Sequence, residues 1–339
     1  MPGLLDEARR FRQALIDLQN AETRRLIQEY GRIYAGLDKR MKTLEEALGE
    51  LPAGAEHNVT ERQMERVRSL REQIEVEVTK FGGRLDDHLD DAVHASVVAG
   101  SKGGVRMLKS AGIGGSFNIL PTDAIETMLG FMADGSPLHG ALTTRLGFTV
   151  AERVEQRIID GIALGFGPRK VARQIVREKM GEGLAWAMTT ARTAMAWGYR
   201  EANRAQMAAN ANIVPGWLWW SARDGRVCMA CLAMDNGAVH PPTETLRDHH
   251  NGRCVPVPAM SNAVTAQTGQ QWFAEQDPTL QRQQMGDSRW QDWKAGKFEF
   301  RDLATTYQDP VYGEMVREAT MKGLRSGKRV PFVSMPPKG

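Results

Sequence analysis

All three cysteines of this 339-residue chain fall between positions 228 and 254. Cys228 and Cys231 stand in VCMACLAMDNGAVH, and Cys254 follows in DHHNGRC. This clustering constrains the local fold more than any other feature. Asp224–Gly225 and Asn236–Gly237 flank the first pair, and both dipeptides favour tight turns because their central residues tolerate positive φ. The aromatic run WLWW precedes them. The expectation is a small β-rich module with the C-x-x-C pair between two turns. A C-x-x-C turn presents two thiolates to one ion, and tetrahedral zinc asks for two further ligands from a separate strand or loop. Cys254 offers one. His249, His250 and the more distant His240 are open candidates for the other. A redox pair is one alternative, but a redox C-x-x-C ordinarily opens a helix in a thioredoxin-like unit, and the flanks here read as turns. A structural disulfide is disfavoured in a reducing compartment. Inert buried cysteines would leave the 228/231 spacing unexplained.

Composition sets the remaining bounds. Hydrophobic residues make up 42% and charged residues 25%, the mix of a globular protein. A net charge of +3 is too mild to argue for nucleic acid. No apolar run approaches the roughly 20 residues that span a bilayer, and MPGLLDEARRFRQ has no secretory pattern, so a cytoplasmic protein with no membrane partner is expected. Three cysteines are too few for a disulfide framework.

The N-terminal part reads as helix. Ala8, Phe11, Leu15 and Leu18 recur at helical spacing, and the seam resumes at Tyr30, Ile33 and Leu37. ELPAGAEHNVT breaks it, and Thr60 caps a second helix through Val67, Leu70, Ile74, Val78 and Phe81. Residues 1–98 are therefore expected to form a long helical hairpin arm, extending away from the rest and separable from it. Residues 99–120, AGSKGGVRMLKSAGIGGSFN and its neighbours, read as a glycine-rich linker; the order of a phosphate-binding loop is absent. Asp86, Asp87, His88, Asp90, Asp91 and His94 make an acidic helix face that needs no metal.

Residues 121–213 read as a helical domain ending in the Ala-rich TTARTAMAWGYREANRAQ. Its Arg192, Arg200 and Arg204 suit either an acidic ligand or pairing within the bundle. No paired carboxylates and no Ser–His–Asp set suggest catalysis, so no enzyme is expected. Residues 214–260 hold the Cys/His module. Residues 261–339 read as a helical extension carrying Trp272, Phe273, Trp290, Trp293 and Phe298, with a flexible basic end that includes Lys322, Arg325, Lys328 and Arg329. The fold class is thus mainly α with a small β-rich module stapled by zinc.

WLWWSARDGRVCMACLAMDNGAVH, a proline-containing loop and DHHNGRCVPVP together resemble the head-morphogenesis family of tailed bacteriophages, the Mu protein F-like minor head proteins. TTARTAMAWGYREANR and GIALGFGPRKVARQI add to the likeness, which covers about residues 150–260. Gly252 stands where many members carry a further cysteine. The resemblance implies a ligand set of Cys228, Cys231, His249 and Cys254. It implies a minor capsid protein of the virion, at the portal vertex or in the head interior, made in the host cytoplasm. Its partners would be the portal protein and other head or scaffolding proteins, with packaged DNA touched through the basic C-terminal end. A nucleic-acid-binding zinc protein is the alternative, with Arg223, Arg226, Arg247 and Arg253 as the cluster that would serve it.

Overall fold

The computed structural model describes residues 3–49, 76, 88–113, 117–121, 125, 181–260, 266–309 and 312–326. The second limb of the expected hairpin, most of the helices expected between 121 and 180, and the end of the basic tail with Lys328 and Arg329 lie outside them. The chain is mainly helical with a few short strands in small sheets.

Three long helices open the description: α1 (Leu4–Gly49), α2 (residues 88–110) and α3 (Gly181–Ala208). The chain divides into two compact units, one of residues 1–18, 93–130 and 192–339, the other of residues 19–92 and 131–191. In the second unit, Leu26, Tyr30, Leu89 and Ala92 are buried. These units do not follow the division expected from the sequence.

In the first unit the start of α1 is core, not arm. Leu4, Ala8, Phe11 and Leu15 repeat at three- and four-residue steps, so they share one face, and all four are fully buried. They pack in one cluster with Tyr199 of α3 and with Leu218, Trp220, Val255 and Val257 of the sheet described below. The Tyr199 hydroxyl donates to the Phe11 carbonyl at 2.8 Å, and Arg106 of α2 pairs with Glu7 at 2.7 Å. The expectation of a separable N-terminal arm therefore fails for residues 4–18.

The glycine-rich linker is also corrected. Residues 99–110 are helical and belong to α2. The glycines are there for proximity. A Cβ on Gly100 would lie 2.2 Å from the Tyr199 carbonyl oxygen, and one on Gly103 would lie 2.3 Å from the Phe11 ring. Composition alone suggested flexibility; tertiary packing turned the missing side chains into a groove for α1 and α3.

A three-stranded antiparallel sheet of order β2-β1-β3 follows: β1 (Trp217–Trp220), β2 (Val239–His240) and β3 (Val255–Pro258). Alternation sends Trp217 and Trp219 into one core cluster and Leu218 and Trp220 into the other. Pro256 and Pro258 are tolerated because β3 is an edge strand, paired only to β1. Between β1 and β2 lies the short helix α4 (Met229–Met234).

The C-terminal part continues the same core. It comprises α5 (Gly269–Ala274), α6 (Pro278–Met285), α7 (Asp287–Lys294), a 3-10 turn (Phe300–Leu303), the hairpin β4 (Ala304–Asp309) and β5 (Gly313–Glu318), and α8 (Met321–Ser326). Phe273, Phe298, Phe300, Leu303 and Val316 share a buried cluster with Trp217, Trp219, Met229 and Leu232. The helical extension is thus integral to the Cys/His module, and it carries a β-hairpin that the sequence reading did not anticipate.

Candidate metal centre

Cys228 is the N-cap of α4. Its backbone is extended, and its sulfur accepts the backbone N–H of Cys231 at 3.2 Å. Cys231 sits one turn into the helix and is buried. The pair therefore opens a helix rather than sitting between two hairpin turns as expected, because Met229, Ala230 and Leu232 bury α4 against Trp217 and Trp219. The helical flank removes one reason for setting a redox pair aside. The setting still differs from a thioredoxin-like unit, since α4 joins two antiparallel strands.

The remaining groups come from the loop between β2 and β3. His249 turns Nε2 toward both sulfurs, at 3.2 Å from Cys228 and 3.3 Å from Cys231. Its Nδ1 faces the His250 carbonyl at 2.8 Å. The carbonyl is an acceptor and so favours a proton on Nδ1, the arrangement of imidazoles that bind a metal through Nε2. Of the three candidate histidines, His249 is the one beside the sulfurs. His250 instead places Nε2 2.8 Å from Asp309 at the end of β4, and His240 is stacked on Trp217. Asn251 adopts φ 58, a left-handed conformation that asparagine tolerates, and this reverses the chain between His249 and Cys254.

The ligand atoms of Cys228, Cys231 and His249 lie within 4.8 Å of one another, and so do those of Cys231, Asp248 and Cys254. Zn–S bonds of about 2.3 Å and Zn–N bonds of about 2.0 Å at tetrahedral angles put sulfur and nitrogen roughly 3.5 Å apart, close to the separations here. These five residues are close enough to hold a metal ion.

Sequence reasoning missed the role of Asp248. Its carboxylate is fully buried behind the cluster. It accepts from the His249 and Cys254 amides at 2.9 and 3.2 Å and from Arg200 of α3 at 2.9 Å, and it lies 3.4 Å from the Cys231 sulfur. Arg200 also donates to the Gly252 carbonyl. A Cβ at position 252 would fall 2.0 Å from the Asp248 Oδ2 atom. Glycine is therefore required at position 252, because the carboxylate fills the space. The only sequence signal for this was the Asp immediately before the His pair.

The electrostatics within the cluster are strongly perturbed. Hydrogen bonding from Cys231, then from His249, lowers the Cys228 thiol to about 6. Burial would lower His249, but Cys228 and Asp248 outweigh it and raise it to about 9. The two shifts, down for the thiol and up for the imidazole, are those of groups that stabilise each other's charged forms. Cys231 is pushed up by hydrogen bonding to Cys228 and Cys254, and Cys254 by burial.

No family model, no curated protein and no solved structure matches the chain. Among the described residues, no helix is long and apolar enough to cross a membrane.

Proposed function

We propose that this chain is a minor head protein of a tailed bacteriophage or prophage, acting in head morphogenesis at the portal vertex, with a structural zinc ion held by Cys228, Cys231, His249 and Cys254. The observation that supports the reading is the clustering of Cys228, Cys231 and His249 next to a second cluster of Cys231, Asp248 and Cys254, with Arg200 bonded to Asp248 and to the Gly252 carbonyl behind them. The four residues are the set that the sequence resemblance implies. Zinc is the ion of choice because three thiolates and one imidazole are soft and borderline ligands that favour tetrahedral coordination.

In this reading the metal joins α4 to the β2–β3 loop and supplies folding energy, with no turnover. The protein's partners are the portal and other head or scaffolding proteins. The nucleic-acid alternative has less support. Arg223 pairs with Asp235, Arg247 with Glu314 and Arg253 with Asp224, so three of the four arginines that would meet phosphate are already neutralised. Arg325 of the basic tail pairs with Asp292 at 2.8 Å.

The test is co-expression with a cognate portal and procapsid proteins, followed by purification of the particles. The proposal expects the chain to sediment with portal-bearing heads and to bind duplex DNA weakly, with affinity falling steeply with salt. Salt-resistant DNA binding that disappears in Cys228→Ser, without incorporation into heads, would replace it with the nucleic-acid reading.

A further inference from the structure

The cysteine pair at 228–231 and the loop stretch 248–254 are separate pieces of chain that meet side by side. Arg200 bonds to the loop, at Asp248 and Gly252. The β4–β5 hairpin reaches both pieces. At its base, Glu318 of β5 accepts the backbone N–H of Met229 at 2.8 Å. That donor stands in the first turn of α4, where no carbonyl of the helix can meet it, and it is next to Cys228. The other oxygen of Glu318 accepts from Arg289 of α7 at 2.7 Å, which fixes the carboxylate. Along β5, the Val316 N–H donates to the Arg247 carbonyl at 2.8 Å, just before the loop stretch. At the far end, Asp309 of β4 meets His250 Nε2 at 2.8 Å. A carboxylate only accepts, so His250 donates that bond.

These bonds bear on the ligand atoms through the backbone. His249 Nδ1 is 2.8 Å from the His250 carbonyl, so the peptide at His250 sets how the imidazole faces the sulfurs. Asp309 holds the side chain of that same residue. It is itself held, because its second oxygen accepts the Tyr312 N–H at 2.9 Å. The Tyr312 ring meets His250 edge to face, with centroids 5.8 Å apart. On the other arm, the Cys228 sulfur accepts the Cys231 N–H at 3.2 Å, a geometry that depends on the turn at Met229. The hairpin is paired along its whole length, from Asp309 opposite Gly313 to Ala304 opposite Glu318, so its two attachment points keep a fixed separation.

We propose that the β4–β5 hairpin is a clamp that positions the two arms of the metal centre, with Asp309 and Glu318 as its positioning residues, and that it sets how tightly the ion is held. The clamp presupposes the metal centre proposed above. Groups that orient metal ligands through hydrogen bonds typically account for about 10–100-fold in metal affinity. The hairpin does this for both arms at once. When either contact is lost, one arm moves independently of the other and its ligand leaves the position that the ion requires.

The test uses the full chain loaded with zinc and reads affinity by competition with a chromogenic chelator. Asp309→Ala and Glu318→Ala should each bind zinc about 10–100-fold more weakly than the parent. Glu318→Gln keeps an oxygen for the Met229 N–H and should bind like the parent. In the cobalt-substituted protein, Asp309→Ala should retain the thiolate charge-transfer bands and alter the d–d bands as the imidazole shifts. Glu318 is half-buried, so its alanine variant carries the test if Asp309→Ala does not fold. Leu324→Ala, a core change on α8, should lower the melting temperature and leave zinc affinity unchanged. Parent-like affinity in the alanine variants of the clamp would overturn the proposal. So would a loss in Leu324→Ala as large as theirs, or a loss in Glu318→Gln equal to that in Glu318→Ala. A parent protein that binds no zinc at all would instead overturn the metal reading, and the clamp with it.

Discussion

The Arg200–Asp248 pair shows how single residues set the geometry of the Cys/His cluster. The Asp248 carboxylate is fully enclosed and Arg200 nearly so. Removing one partner of a buried ion pair leaves an uncompensated charge, and the cost is typically about 3–5 kcal/mol. Arg200→Met should destabilise the folded protein by that amount in chemical denaturation. Adding Asp248→Asn should restore part of it, because the stranded charge is then gone. A single Arg200→Met variant as stable as the parent would mean that the pair does not organise the loop. Gly252→Ala is the companion case. Its Cβ would displace the Asp248 carboxylate, so metal content should fall along with stability, by roughly 1–3 kcal/mol for the overpacking alone. A Gly252→Ala protein with full metal content and the parent's melting temperature would contradict the steric account.

At the scale of elements, the decisive feature is the role of α1. Its first turns pack on α3 and on the sheet that carries the Cys/His module. Phe11→Ala should cost about 3–5 kcal/mol, as for other fully buried aromatics. Deleting residues 1–18 should leave residues 19–339 poorly soluble or without a cooperative melting transition. A soluble truncation that melts cooperatively and carries metal would show that α1 is dispensable to this core. The helical periodicity of Ala8, Phe11, Leu15 and Leu18 was legible in the sequence, but its partner was not. A stripe reports that a face is buried and not what covers it. The α2 glycines mark the same limit. Gly100 and Gly103 look like linker composition until Tyr199 and Phe11 are seen against them. The β4–β5 hairpin was missed because Ala304–Asp309 and Gly313–Glu318 carry few of the apolar residues that signal strands, and both are largely half-buried.

At the scale of the whole molecule, the proposed metal is a staple that ties α4 to the β2–β3 loop within a core to which residues 4–15 and residues 273–324 both contribute. That the three cysteines lie near one another was legible because their clustering is local and thiols are rare in this sequence. The choice among His240, His249 and His250 was not, since backbone turns decide which imidazole points inward. The helical start at Cys228 was also hidden, because it depends on α4 burying its apolar face against distant tryptophans. The central claim is that Cys228, Cys231, His249 and Cys254 share one zinc ion. X-ray absorption at the zinc edge, on protein purified without chelator, addresses it directly. The account predicts about one zinc per chain, with three sulfurs at about 2.3 Å and one nitrogen at about 2.0 Å, and loss of that spectrum in Cys254→Ser. A metal-free protein, or a shell of oxygen and nitrogen alone, would contradict it.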